Sequence, residues 1–249
     1  MTIPVALQLY TLREEMDKDF IGVLRKVAEI GYDGVEFAGY GNLSAKELKA
    51  LLSELGLKSV GTHVGIEFLK NNLDEVIEFN KTIGTSYIVF PHAKYETKED
   101  FMEMAKFLDE TGKKVRENGM TFCYHNHAHE FVEYDGVRGL DILYRLTKPE
   151  NLQVELDTYW VAFAGISPVD YIKKYSDRIP LIHLKDMEDS ESRAFAEVGE
   201  GTMDIKAITD AGSAAGTKWF IVEQDKCKRP ALESVEISFD NLKKMGLHK

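Results

Sequence analysis

Asp157, His183 and Glu223 lie at or near the ends of three successive apolar runs, Val154-Glu155-Leu156-Asp157, Leu181-Ile182-His183-Leu184 and Ile221-Val222-Glu223. Carboxylate, imidazole and carboxylate brought to one point form an oxygen-rich donor set. Buried there without compensation, the two acids would cost several kcal/mol. A divalent cation is the simplest compensation, and Mn²⁺, Co²⁺, Mg²⁺ or Zn²⁺ suits such ligands. Cys123 and Cys227 have neither the paired spacing of a thiolate zinc site nor that of a disulfide framework, so both read as packed thiols.

The three residues have company. Gln8, Glu36, His63, His92, His125 with Asn126 and His127, Glu155, Lys185 with Asp186, and Gln224 with Asp225 occupy equivalent places at the ends of short runs. Counting His129, six of the seven histidines fall on or just after such ends, whereas solvated histidines would scatter over helices and loops. A lone imidazole in such a place is usually a hydrogen-bonded structural residue; the set as a whole points to a site.

What must position these groups is a repeated strand and helix unit. Glu29-Ile30-Gly31, Glu54-Leu55-Gly56, Thr82-Ile83-Gly84 and Glu117-Asn118-Gly119 each precede a β-branched or aromatic run, with glycine as the left-handed cap that turns a helix into the next strand. Ser44 with Glu47 and Thr97 with Asp100 have the spacing of capping boxes, and Ser167 before Pro168 marks another helix start. Strands are expected at residues 5–10, 34–38, 59–63, 87–91, 121–125, 153–157, 181–185 and 219–224. Eight such units predict an α/β chain forming one (β/α)₈ TIM barrel domain over residues 1–249, with its chemistry at the carboxyl ends of the strands. An open doubly wound sheet would carry a glycine-rich phosphate turn after its first strand; here Thr11, Leu12 and Arg13 follow.

The net charge of -11 opposes nucleic-acid binding, which needs a concentrated basic surface. No apolar run approaches the roughly 18 residues of a membrane span, and the amino terminus lacks the pattern of a secretory signal, so a soluble cytoplasmic protein is expected. No linker or charge run divides the chain. The oligomeric state is not legible, and a homo-oligomer is allowed.

The stretch Val154-Glu155-Leu156-Asp157-Thr158, the stretch Ile182-His183-Leu184-Lys185-Asp186, the turn Val198-Gly199-Glu200-Gly201 and the strand Ile221-Val222-Glu223 resemble the xylose isomerase-like superfamily of sugar phosphate isomerases and epimerases. The resemblance covers essentially the whole chain. It implies one divalent metal ion held by Asp157, His183, Glu223 and a carboxylate from the fifth strand. Where ketose 3-epimerases place a glutamate on that strand, this chain reads Tyr124-His125-Asn126-His127, with Glu130 following in the loop. The fourth ligand is then His125 in place or Glu130 curling back, and Glu130 is the expectation carried forward.

Such a site supports proton abstraction beside a carbonyl, with the developing enediolate stabilised by the metal. Glu223 is expected as one acid/base, His125 or Glu130 as the group on the opposite face, and Lys185 as a polarising cation or the partner of Glu155 or Asp186. Glu36, His63, His92 and His127, with Trp160 three positions beyond Asp157, are the expected substrate contacts. The long connection from Asp186 to Asp204 fits an active-site cover or a tether to a partner subunit. Lys185, Arg193, Lys226, Lys228 and Arg229 are read as ordinary solvated charge, without commitment to a phosphorylated substrate. The expected reaction is isomerisation or epimerisation of a sugar. The alternative is a lyase resembling inosose or dehydroshikimate dehydratases, in which the same carbanion expels a β-hydroxyl, or a variant that eliminates the substituent of a 3-keto-glycoside. An abasic-site endonuclease would need a basic groove, and a purely sugar-binding barrel would not need convergent metal ligands.

Overall fold

The computed structural model describes residues 2–248. Eight parallel strands, β1 (Val5–Gln8), β2 (Gly34–Phe37), β3 (Lys58–His63), β4 (Tyr87–Phe90), β5 (Thr121–His125), β6 (Gln153–Asp157), β7 (Leu181–Leu184) and β8 (Trp219–Val222), pair in sequence order. The sheet closes where β1 pairs with β8, Val5 opposite Phe220 and Leu7 opposite Val222. The expected (β/α)₈ barrel is therefore the observed one. Among the described residues no helix is long and apolar enough to cross a membrane.

Several strands are shorter at their carboxyl ends than their apolar runs suggested. In β1 the Gln8 side chain accepts a hydrogen bond from the Tyr10 amide, and the chain turns into a 3₁₀ turn at Leu9–Leu12. The helix that follows, Arg13–Ile30, breaks at Asp19, whose φ of -151° is not helical and whose carboxylate accepts from the Gly22 amide. The first segment is thus an added turn at the barrel mouth, and the second is the helix that packs on the barrel. Both capping boxes form, Ser44 with Glu47 and Thr97 with Asp100, and Ser167 caps the helix Pro168–Lys174. Gly31, at φ 113°, ends the first helix in the left-handed region that favours glycine.

Two apolar layers follow from the period-two alternation of the strands. Val35, Phe37, Ile88, Phe90, Phe122, Tyr124, Val154, Leu156, Ile182 and Leu184 join the large cluster between strands and helices. Ala6, Val60, Val89, Cys123, Leu181 and Ile221 form a separate buried layer. Two residues further along the strands from Ala6, Cys123, Leu181 and Ile221 stand Gln8, His125, His183 and Glu223. The barrel is therefore greasy at its base and ionic at its mouth. Cys123 is fully buried in the apolar layer, and that burial pushes its thiol far above the ordinary range.

The connection after β7 is held by one carboxylate. Asp186 accepts hydrogen bonds from the amides of Met187 at 2.8 Å, Gly199 at 2.9 Å, Met203 at 3.0 Å and Gly201 at 3.1 Å. Within this connection, Asp186–Met187 pairs antiparallel with Phe195–Ala196.

Gly61 shows how closely the polar layer is fitted. A methyl group at this position would collide with a carboxylate oxygen of Glu36, which has no exposure to absorb the shift. Gly61→Ala is expected to cost about 1–3 kcal/mol, the range for overpacking a buried site, read as a lower urea midpoint; an unchanged midpoint would show that Glu36 has room to move.

Candidate active site

Two tiers of charge occupy the carboxyl ends of the strands. The lower tier is built on Glu36 from β2 and Glu155 from β6, both fully buried. Gln8 donates to Glu36 at 2.8 Å. His63 Nε2 lies 2.8 Å from Glu155 and 3.1 Å from Glu36, and His183 Nε2 lies 2.8 Å from Glu36 and 3.2 Å from Glu155. Burial alone would strip the proton from His63, but the two carboxylates prevail and hold its pKa at about 10. The same partners, with Glu223, keep His183 charged against its burial.

The upper tier contains the quartet His125, Asp157, His183 and Glu223, whose nearest donor atoms all lie within 4.8 Å of one another. Lys185 stands among its acids, with Nζ 2.9 Å from Asp157, 2.7 Å from Glu223 and 2.7 Å from Asp225. Burial opposes ionisation of Glu223, but the Lys185 charge and the His183 hydrogen bond outweigh it and hold the acid well below the usual range. Asp157 is less well served: burial pushes its pKa up to about 6, with Lys185 and His183 offsetting only part of the effect.

Two details suit this quartet to a metal. Asp157 Oδ2 is buried and makes no hydrogen bond; its contact with Lys185 is ionic without hydrogen-bond alignment. His125 is kept neutral, first by burial and then by the neighbouring charges of His183 and His63. Its Nδ1 lies 2.9 Å from Glu155 Oε2, so a neutral ring donates there and turns the Nε2 lone pair toward Asp157, 3.6 Å away. A carboxylate that fixes the tautomer of a ligating imidazole is the usual support for such a ligand. The donor set of two carboxylates and two imidazoles fits Mn²⁺, Co²⁺ or Zn²⁺.

This geometry corrects several expectations. Glu130 does not curl toward the quartet. The 3₁₀ turn at His129–Phe131 directs it back toward the barrel wall, where it accepts from the Tyr124 hydroxyl at 2.9 Å and the His127 amide at 2.9 Å. His125 stands in the fourth place instead. Lys185 pairs with neither Glu155 nor Asp186: Asp186 binds loop amides, and Lys185 joins Asp157, Glu223 and Asp225. Glu36 lies beneath the site as a support for His63 and His183, out of reach of a substrate. The cations near the last strands have occupations of their own, Lys228 with Glu188, Arg229 with Glu197 and Glu200, and Arg193 with the Phe163 carbonyl.

A cleft of about 350 Å³ adjoins the quartet, lined by His63, His92, His125, His127, Glu223 and Asp225 among others. His92 is exposed at the rim, with its ring 5.3 Å from that of His127. Trp160 stacks at an angle 5.6 Å from His127, and Lys185 Nζ lies 5.9 Å from its ring. Trp160 Nε1 and His127 Nδ1 are both buried without a hydrogen-bond partner, and of the two residues only His127 lines the cleft. Glu155 and Asp225, which the sequence places in the strand-end set without a catalytic or ligand role, are working members of the ion-pair network; Glu155 stands two residues before Asp157, on the same face of β6, and that spacing is the signal for it.

The chain belongs to the xylose isomerase-like TIM barrel family, whose profile matches residues 24–245. It is 28% identical over 164 residues to the inosose dehydratase of Lacticaseibacillus casei, covering 58% of this chain and 54% of that protein, so it spans about half the length of that curated relative. A sugar phosphate isomerase/epimerase from Parabacteroides distasonis superposes with a TM-score of 0.86 at 24% identity, over 99% of this chain and 100% of that one. The IolI protein with a bound zinc atom superposes with a TM-score of 0.77 at 17% identity, over 99% and 98% of the two chains. The last two share the fold.

His125→Ala and Asp157→Asn are each expected to weaken Zn²⁺ or Mn²⁺ binding by at least 10- to 100-fold, the scale seen even for outer-shell partners, whereas Glu130→Gln leaves it within about threefold; calorimetric titration separates the cases. Loss of affinity in Glu130→Gln with retention in His125→Ala would restore Glu130 as the ligand.

Proposed function

We propose that the chain is a metal-dependent lyase that removes a proton beside the carbonyl of a keto-inositol or keto-sugar and expels the oxygen substituent on the β carbon. The observation that carries this reading is the placement of His125. An epimerase that returns the proton to the opposite face needs a second base there, and the fifth-strand group is buried, neutral and turned into the ligand quartet. Elimination needs one base and one acid, and the lining of the cleft offers both. The curated relative from Lacticaseibacillus casei, an inosose dehydratase, supports the same choice.

Glu223 is the base: it faces the cleft and is held ionised by Lys185. His63 is the acid that protonates the departing oxygen. Its Nε2 is committed to Glu36 and Glu155, it is kept charged by them, and it lines the same cleft. A divalent ion held by His125, Asp157, His183 and Glu223 would supply polarisation of the substrate carbonyl and stabilisation of the negative charge that develops on its oxygen. His127 lines the cleft as a substrate contact with Trp160 packed behind it, and Lys185 keeps Asp157, Glu223 and Asp225 compatible with burial.

A second reading has its own support. The Parabacteroides distasonis structure described as a sugar phosphate isomerase/epimerase aligns along the full length of both chains, and an isomerase would use the same first proton abstraction with return of the proton to the neighbouring carbon.

Incubation with Mn²⁺ in deuterated buffer, followed by NMR over ketoses, 3-keto-glycosides and keto-inositols, distinguishes them. The lyase gives an unsaturated ketone and a released water or alcohol; a deuterated isomer without elimination would overturn it. Glu223→Gln is expected to lower proton exchange by about 10²–10⁴-fold, the contribution typical of a positioned acid or base.

A further inference from the structure

Asp157 and His183 enter the quartet from the carboxyl ends of β6 and β7, where the pairing of backbone with backbone runs out. The ladder between β5 and β6 ends with His125 opposite Glu155. Two residues further along β6, one side chain meets both backbone groups of Asp157: its amide donates to Asn126 Oδ1 at 3.0 Å, and Asn126 Nδ2 donates to its carbonyl at 3.2 Å. Toward β7, the Thr158 hydroxyl donates to the carbonyl of His183 at 2.9 Å. Asn126, Asp157, Thr158 and His183 are all fully buried.

We infer that Asn126 and Thr158 are positioning residues, whose side chains continue the sheet past its backbone ladder and so set the spacing of the His125, Asp157 and His183 donors for a metal. The inference rests on the quartet as the metal site and goes beyond it, since neither residue belongs to the donor set.

A carboxamide carries a donor and an acceptor side by side, so it can serve the N–H and the C=O of one residue as a further peptide unit would. Because His125 directly precedes Asn126, this pair of bonds ties the backbone beneath one donor to the backbone beneath the next. Asn126 is itself held between fixed neighbours: His125 Nδ1 lies 2.9 Å from Glu155, and the His127 amide donates to Glu130 Oε2 at 2.9 Å. The Asp157 carboxylate is oriented as well. Its Oδ1 accepts from the Trp160 amide at 3.0 Å, which leaves Oδ2 as the oxygen 3.6 Å from His125 Nε2. The Thr158 bond then joins this frame to the main chain of His183, so three of the four donors hang from one hydrogen-bonded backbone. Metal bonds to such ligands are near 2.0–2.2 Å and leave a margin of only about 0.2 Å, and groups of this kind keep their geometry through the hydrogen bonds behind them.

The test is titration of the metal-free protein with Co²⁺, followed by visible absorption, which reads affinity and coordination geometry from one sample; urea unfolding without metal reads stability. Asn126→Ala removes both bonds to Asp157, Thr158→Val removes the hydroxyl at nearly constant shape, and Thr158→Ser keeps it. Affinity is expected to fall about 10- to 100-fold in Asn126→Ala and Thr158→Val with a changed Co²⁺ band, while Thr158→Ser keeps the wild-type band and an affinity within about threefold of wild type, the scale being that of groups that support metal ligands. A lower urea midpoint with wild-type affinity and band in Asn126→Ala and Thr158→Val overturns the inference and leaves the quartet standing, because both residues then serve stability alone. Equal losses of affinity in Thr158→Val and Thr158→Ser overturn it too, since the hydroxyl is then not what acts. Should Asn126→Ala not fold, the Thr158 pair decides. A wild-type protein that binds no Co²⁺ overturns the quartet, and the inference with it.

Discussion

The structure depends on keeping several carboxylates buried in one barrel mouth. Glu36, Glu155, Asp157 and Glu223 are nearly or wholly removed from water, and charges so placed are tolerated only where opposite charge and hydrogen bonds meet them. His63 and His183 meet the lower pair, and Lys185 meets the upper pair together with Asp225. The closed sheet makes this possible, since it brings side chains from seven strand ends within contact distance of one axis. The apolar layer of Ala6, Val60, Val89, Cys123, Leu181 and Ile221 forms a separate cluster within the barrel, and it adds low-dielectric material to their surroundings, which strengthens every pairing above.

The balance is uneven, and the unevenness locates the chemistry. Glu36 and Glu155 are held between imidazoles and serve as supports. Each of them, like Asp157, keeps one buried oxygen without a hydrogen bond, but of the three only Asp157 belongs to the quartet, beside a His125 kept neutral in the midst of charge. A cation entering the quartet takes over the neutralising part that Lys185 plays beside Asp157 and Glu223, and it requires His183, engaged at both nitrogens, to give up its proton. Glu223 sits at the border, paired with Lys185 below and open to the cleft above.

Much of this was legible from the sequence because a barrel strand has a period of two and the residue types are unmistakable. Asp157, His183 and Glu223 come from strands whose ends could be placed within a residue or two, and so converge. The departures have local causes. Glu130 was favoured because it is a carboxylate near the fifth strand, but a single 3₁₀ turn, which no periodicity reveals, sends it to Tyr124. Asp186 looked like a partner of Lys185 because it is adjacent, yet adjacent strand residues point to opposite faces, and Asp186 turns to the loop amides. The break at Asp19 hides inside an unremarkable helical pattern, with Gly22 its only trace.

Asp186 has a wider consequence for motion. Its carboxylate gathers the amides of Met187, Gly199, Gly201 and Met203, so one buried side chain draws together the two ends of the connection while residues 188–198 lie outside its reach. What fixes those residues is local pairing, Asp186–Met187 with Phe195–Ala196 and Arg229 with Glu197 and Glu200. Removal of the Asp186 carboxylate would therefore release the base of the connection from the barrel while leaving that local pairing in place.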